Sequence, residues 1–339
     1  MNRGNNYPLV SVVVISRDRH KTLEETVQSL LALDYPPEKY EIVVIEEGDK
    51  PLPIPQTNYV FLPRQNLGLG YARNQGVKAA KGEFIAFTDD DCLVKHDWLY
   101  QIIQPMLHNP EIFGVGGATL VRGDHPIGTC EAVLGFPGGG YPRFLRAGGK
   151  IVETNLTSGC NMAYRREVFN HLEFEKRGMG RLGADDFLLS LEVSKRWKIV
   201  FNPNAIVYHL PRNNLKQIYK WFQRRRYCEL LYAKIHSKKF REIFSLRRGM
   251  VPRFILGILL IVGLKLFGVL LIFIGLLIIY APLPLRYVKE LRAANAKWRS
   301  YFIMPLVKAT MDIAVLISDI RALLSWSHGE SEILDEYNR

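Results

Sequence analysis

Residues Val10-Ser11-Val12-Val13-Val14-Ile15 form an almost unbroken β-branched run. A strand so uniformly apolar has no side to show to water, so it predicts a central parallel strand with helices packed on both faces. The chain that follows keeps the same rhythm. Thr22 to Leu33 places Leu23, Val27, Leu30 and Leu31 at helical spacing and ends before Tyr35-Pro36-Pro37. Glu41 to Ile45 then reads as a second strand, Asn58 to Leu62 as a weaker third, Gly70 to Ala80 as a helix and Phe84 to Thr88 as a fourth strand. Alternation of this kind predicts an α/β fold whose mostly parallel central sheet is joined by right-handed crossovers.

From Gly114 to Gly159 the chain is rich in glycine and proline, centred on Phe136-Pro137-Gly138-Gly139-Gly140-Tyr141-Pro142. So long a stretch without a regular pattern is expected to be a mobile loop, placed to act as a lid. The pattern resumes with a short strand at Asn161 to Tyr164, a helix from Asp186 to about Lys195, and strands at Lys198 to Phe201 and Ala205 to Tyr208. With 339 residues the chain has room for one large α/β domain, expected over residues 1–211, and a C-terminal appendage.

Charge is concentrated in the appendage. The net charge is +12, yet carboxylates are plentiful before residue 200 and basic residues gather from Arg212 onward. In residues 212–253, Ile218, Trp221 and Phe222 alternate with Lys216, Lys220, Arg224, Arg225 and Arg226, a basic amphipathic pattern. Residues 254–281 are nearly all apolar, interrupted by Lys265, and exceed the roughly 20 helical residues that cross a bilayer. Both flanks are basic, with Arg247, Arg248 and Arg253 before and Arg286, Lys289, Arg292, Lys297 and Arg299 after, so a single span and a re-entrant hairpin both fit. In residues 282–339, Tyr301 to Trp326 reads as an interfacial helix, with Lys308, Asp312 and Asp319 among Ile, Leu and Val. Anionic lipid, nucleic acid and a polyanionic glycan would all answer to the charge; the adjoining apolar run selects membrane lipids and argues against nucleic acid. Deletion from Met250 onward is then expected to release a soluble catalytic fragment. Cys92, Cys130, Cys160 and Cys228 form no CxxC pair, which argues against a zinc knuckle or a disulfide framework and suits a reducing cytosol. Met1 to Pro8 is short and polar and shows no secretory leader.

The fourth strand stops at three consecutive carboxylates, Asp89-Asp90-Asp91. Adjacent like charges resist ionising together, so such a row marks either a solvated turn or a site for a hard divalent cation or a line of donors. Oxygen-only ligands favour Mn²⁺ or Mg²⁺ over zinc. The carboxyl end of a strand in an open α/β sheet is also where a nucleotide diphosphate is expected.

Taken in order, Val10 to Ser16, Glu46-Glu47-Gly48-Asp49, Asn66-Leu67-Gly68-Leu69-Gly70-Tyr71-Ala72-Arg73-Asn74-Gln75-Gly76, Asp89-Asp90-Asp91 and Gly183-Ala184-Asp185-Asp186 resemble the family 2 glycosyltransferases of GT-A fold, over roughly residues 8 to 210. The resemblance implies a membrane-associated inverting glycosyltransferase. It would move a sugar from a UDP- or GDP-linked donor to a lipid-linked or cell-surface glycan acceptor, at the inner (plasma) membrane with the catalytic domain cytoplasmic. It places Asp89 at the ribose, Asp90 in the variable position and Asp91 on the metal, with His209 as a second candidate metal ligand. Ser16, Arg17 and Glu46 would line the nucleotide; the family's usual Asp-Asp-Gly-Ser type sequence is replaced by Glu46-Glu47-Gly48-Asp49, which leaves uracil and guanine both open. Arg73 would approach the diphosphate. Asp185 and Asp186 match the pair that carries the general base, with alignment on Leu189, Leu191 and Val193 favouring Asp186 and ungapped counting from Ile199 favouring Asp185. Gly159 and Asn161 would belong to the donor and acceptor pocket. Gln223-Arg224-Arg225-Arg226-Tyr227 loosely resembles the QxxRW motif of processive synthases, so Gln223 and Arg226 are candidates for gripping a lipid-linked diphosphate. A non-catalytic nucleotide-sugar-binding scaffold and a nucleotidyltransferase are the competing functions.

Overall fold

The computed structural model describes residues 7–176, 183–236, 258 and 269–327. They divide into two compact units, the first from Met1–Gly123 with Gly135–Leu210, the second from Asp124–Leu134 with Pro211–Arg339.

The first unit contains β1 Val10–Arg17, α1 His20–Leu31, β2 Tyr40–Gly48, β3 Asn58–Pro63, α2 Leu69–Ala79, β4 Phe84–Asp89, β5 Cys92–Val94, α3 Trp98–His108 and β6 Ile112–Val121. After an excursion into the second unit through α4 Pro126–Val133, it resumes with α5 Gly140–Ala147, β7 Val152–Thr154, β8 Asn161–Arg165, α6 Asp185–Ser194 and β9 Lys198–His209. One sheet runs in the order β3-β2-β1-β4-β8-β6-β9-β5, with β7 also paired to β9. The first four strands are parallel, as their unbroken apolar runs require. β8 then enters antiparallel between β4 and β6, so the sheet as a whole is mixed.

Side chains of β1 alternate between two cores. Val10, Val12 and Val14 pack with Leu23, Val27 and Leu30 of α1 and Trp98, Leu99 and Ile102 of α3. Val13 and Ile15 pack on the other face with Phe87, Phe174 and Leu189. Each of these side chains contributes about 1.5–3 kcal/mol by leaving water. Burial on both faces is what holds the strand ends in fixed relative positions.

The Gly114–Gly159 stretch is not a loop. It holds most of β6, then α4, α5 and β7. Its glycines answer to crowding within the sheet: a Cβ on Gly117 would lie 2.3 Å from the Ala205 carbonyl oxygen, and one on Gly114 would lie 2.7 Å from the Tyr164 ring. Likewise the two expected strands after Lys198 are one, β9, with a register shift opposite Gly117 and Ala118 that absorbs Pro203 to Ala205.

In the second unit, α4 is joined by α7 Leu215–His236, α8 Val269–Tyr280, α9 Leu283–Arg286, α10 Val288–Ala293 and α11 Trp298–Ser327. Cys130 Sγ of α4 donates to the Ser300 carbonyl at 3.1 Å, and Arg226 Nε of α7 donates to Asp319 Oδ1 of α11 at 2.6 Å. Tyr280 OH donates to Asp312 Oδ2 at 3.0 Å. A cut before Met250 would therefore remove α11 from the buried faces of α4 and α7, all within the second unit. Among the described residues, Trp298–Ala322 is the helix long and apolar enough to cross a membrane. The apolar stretch 254–281 is described only at 258 and from 269, as α8; Lys265, Arg247, Arg248 and Arg253 lie outside the described residues.

Candidate active site

Parallel pairing of β1 with β2 and β4 sets Ile15 beside Asp89 and Ser16 beside Glu46. The carboxyl ends of three strands therefore converge. Ser16 Oγ donates to Asp90 Oδ2 at 2.7 Å, and Arg19 Nη1 reaches Asp90 Oδ1 at 3.2 Å and Asp91 Oδ2 at 2.6 Å. Burial pushes Asp90 up to about 6, against the pull of the Ser16 hydroxyl and Arg19. β9 ends in His209, whose Nε2 lies 3.3 Å from Asp91 Oδ1. Asp91, Cys92 and His209 offer ligand atoms all within 4.8 Å of one another. Burial raises the Cys92 thiol well above its ordinary range, and a soft sulfur donor matches Mn²⁺ and Mg²⁺ poorly. What remains is a carboxylate and an imidazole, a donor set that fits Mn²⁺ or Mg²⁺.

On the other side of Asp89 lies Arg73 of α2, only 3% exposed. Its Nη1 donates to Asp185 Oδ2 at 2.5 Å and its Nη2 to Asp89 Oδ1 at 3.1 Å. Burial opposes its charge, but Asp185 and Asp89 outweigh burial and hold it cationic. Burial in turn raises Asp185 to about 6 and raises Asp89, with Arg73 opposing in both. Arg73, expected at the diphosphate, is thus enclosed by two carboxylates of the protein, and Asp185 is engaged in a buried pair. Its neighbour Asp186 is more accessible. Its Oδ2 accepts the Gly159 N–H at 2.7 Å and its Oδ1 the Phe187 N–H at 2.7 Å.

Two glycines permit the clamp. A Cβ on Gly70 would lie 2.0 Å from the Glu175 carbonyl oxygen, and one on Gly159 would lie 2.3 Å from Arg73 Nη2. Gly159→Ala is therefore expected to displace the guanidinium, lowering stability by about 1–3 kcal/mol as overpacking does and lowering transfer with it. Thermal melting and initial rates on the same preparation check both.

At the outer edge, Glu46 accepts hydrogen bonds from the Tyr59 hydroxyl and from Leu52 N–H at 3.4 Å. Glu47 accepts from the Gln65 N–H at 2.9 Å and the Asn66 N–H at 2.5 Å, and Arg17 donates to Asn66 Oδ1. Arg64 bridges Asp18 and Asp49, donating at 2.6 and 2.7 Å. Asn161, expected to meet a sugar hydroxyl, is fully buried, and its amide is already engaged: Oδ1 accepts from Trp98 Nε1 at 2.9 Å, and Nδ2 donates to the carbonyls of Ala118 at 2.8 Å and Ala205 at 2.9 Å. It anchors β8 and does not face a ligand. Gln223 and Arg226 belong to the second unit, where Gln223 Nε2 donates to Tyr219 OH at 3.0 Å and Arg226 pairs with Asp319 and Glu229. Arg19 and Tyr59 were not anticipated; the one available signal was an arginine two residues beyond a strand that runs beside a carboxylate row.

Asp89, Asp90, Asp91, Asp185 and Asp186 together outnumber Arg19 and Arg73, and Asp89 senses Arg73, Asp91, His209 and Asp186 at once. Such an excess of negative charge at the strand ends of a mixed α/β sheet suits a divalent cation. Residues 11–173 match the family model of Glycosyl transferase family 2. A glucosyl-dolichyl phosphate glucuronosyltransferase of Haloferax volcanii is 26% identical over 223 residues, 59% of this chain and 68% of that protein. A poly-beta-1,6-N-acetyl-D-glucosamine synthase of Staphylococcus aureus is 24% identical over 278 residues, 78% of this chain, which spans 64% of its length. The solved structure of the mannosyltransferase PcManGT from Pyrobaculum calidifontis, in complex with GDP-Man and Mn2+, shares the fold with a TM-score of 0.53 at 17% identity, covering 94% of this chain and 88% of that one. Over residues 11–173 the chain is thus similar to the family 2 glycosyltransferases, and its α/β unit has the GT-A fold.

Proposed function

We propose that the chain is a metal-dependent, inverting glycosyltransferase of the membrane surface that passes one sugar from a UDP- or GDP-linked donor to a lipid-linked or cell-surface glycan acceptor. The observation that carries this is the surplus of carboxylates gathered around Asp91 and His209 at the ends of β4 and β9. Asp91 and His209 would hold Mn²⁺ or Mg²⁺, which when bound offsets the charge of the departing nucleoside diphosphate. Ser16 holds Asp90 by a hydrogen bond, and Asp89, partly exposed, would accept a ribose hydroxyl. Asp186 takes the acceptor hydroxyl proton as the new bond to the sugar's anomeric carbon forms and the bond to the phosphate oxygen breaks. Asp185 does not compete for that role, because its carboxylate is 1% exposed and paired with Arg73. Attack opposite the leaving group inverts the anomeric centre.

For the acceptor, the Haloferax relative's name points to a sugar-bearing dolichyl phosphate, and the apolar Trp298–Ala322 helix supports membrane attachment, which we assign to the inner (plasma) membrane. A nucleotide-sugar donor supports a cytoplasmic catalytic domain. Asp91→Ala and His209→Ala test the centre. Each is expected to weaken the apparent Mn²⁺ affinity by more than the roughly 10–100-fold that losing an outer-shell partner costs and to lower turnover at saturating donor. Unchanged Mn²⁺ titrations in both variants would remove the metal from this place.

A further inference from the structure

Arg143 of α5 is a half-buried cation with no carboxylate against it among the described residues. Its Nη2 donates to Thr154 Oγ1 at 2.9 Å and to the Leu156 carbonyl at 2.9 Å, its Nη1 donates to the Gly138 carbonyl at 3.4 Å, and its guanidinium carbon sits 4.2 Å from the centre of the Phe201 ring. Every one of these partners is neutral. Elsewhere in the first unit the guanidinium groups at the strand ends are matched: Arg73 by Asp185 and Asp89, Arg19 by Asp90 and Asp91, Arg64 by Asp18 and Asp49. Arg165 also donates to carbonyls alone, but it stands beside Phe84, at the opposite end of β4 from the carboxylates. Burial alone acts on Arg143 and draws it down to about 10, still cationic at neutral pH.

Its surroundings lead to the base. Gly138 packs so closely that a Cβ there would lie 2.9 Å from Thr119 Oγ1 and 3.4 Å from Ser158 Cβ. The next residue after Ser158, Gly159, donates its N–H to Asp186. The chain Arg143, Gly138, Ser158, Gly159, Asp186 is therefore continuous in space, and all of it belongs to the first unit. Five guanidinium N–H groups against three bonds leave two donors for a ligand. A desolvated, unneutralised charge is costly unless something completes it, and a fork of N–H donors matches the paired oxygens of a phosphate or carboxylate.

We infer that Arg143 is the binding site for an oxyanion carried by a substrate, with the phosphate monoester of a lipid-linked acceptor as its principal occupant. This rests on the glycosyl-transfer function proposed above and names the class of its acceptor. The phosphate would be held on the Asp186 side, so that the acceptor hydroxyl to be glycosylated reaches the base. An acidic sugar on the donor would offer the same chemistry through a carboxylate.

The test uses the full chain in neutral detergent micelles, titrated with dodecyl phosphate, and separately with UDP-glucuronate against UDP-glucose. Wild type, Arg143→Met and Arg143→Lys are compared, with melting recorded for each. Dodecyl phosphate binding is expected to weaken by about 10–100-fold in Arg143→Met, the cost of losing a charged hydrogen-bond partner, and less in Arg143→Lys. If instead only the preference for UDP-glucuronate over UDP-glucose disappears, the oxyanion is the sugar carboxylate. Dodecyl phosphate and UDP-glucuronate binding that is the same in wild type and in Arg143→Lys, or absent from wild type, overturns the inference even if Arg143→Met fails to fold. Binding does not require turnover: if Asp186→Asn and wild type both bind dodecyl phosphate through Arg143 while wild type transfers no sugar, the proposed transfer fails and the anion site stands.

Discussion

Asp186→Asn is expected to lower kcat by about 10²–10⁴-fold, the range that a positioned general base contributes, while the donor KM stays near its wild-type value. The amide keeps the size and rotamer of the acid but cannot take a proton. Both Asp186 oxygens accept backbone N–H bonds, from Gly159 and from Phe187. Asparagine can satisfy only one of them, so a loss of about 1 kcal/mol in stability accompanies the change, too little to explain the loss of rate. The companion variant separates the two neighbours. Asp185→Asn removes half of a buried ion pair with Arg73 and is expected to show its effect first in melting temperature. Initial rates at saturating donor and acceptor, donor titration and melting on both variants decide the assignment. A stable, fully active Asp186→Asn beside a stable, inactive Asp185→Asn would move the base by one residue.

The first four strands and the carboxylate row were legible because their signals are local. A run such as Val10 to Ile15 declares two-sided burial in its own letters, and three aspartates at a strand end state a charge problem without reference to the rest of the chain. The stretch from Gly114 to Gly159 was opaque because its glycines answer to distant neighbours, Ala205 beside Gly117 and Tyr164 beside Gly114. No local rule separates a glycine that frees a turn from one that lets two strands touch. The same holds for Asn161, whose polar side chain suggested a ligand and instead joins β8 to α3, β6 and β9. Arg73 is the sharpest case: its partner Asp185 is 112 residues away in sequence. Motif order placed both at the site, but not against each other.

That pairing makes Arg73→Met the substitution with the largest expected effect on folding. Methionine fills much of the apolar stem's volume yet leaves Asp185 and Asp89 without their cation. Breaking a buried pair by removing one partner costs about 3–5 kcal/mol. In a unit of this size that corresponds to a fall in melting temperature of about 6–20 °C. The loss also depends on pH. Arg73 opposes the upward push of burial on both carboxyls, so its removal raises them further, Asp185 beyond its present value of about 6. A carboxyl whose folded pKa lies above its unfolded value binds its proton more tightly when folded. Stability is therefore retained at low pH and lost as pH rises through the folded value. The deficit of Arg73→Met relative to wild type should be smaller at pH 5 than at pH 8. Adding Asp185→Asn should recover stability at pH 8, because the stranded charge is gone, without recovering transfer, because the link from the end of β4 to the start of α6 is gone as well. Melting curves of the two single variants and the double variant at both pH values form the cycle. Equal deficits at pH 5 and pH 8 would show that Arg73 holds the site by packing and not by its charge.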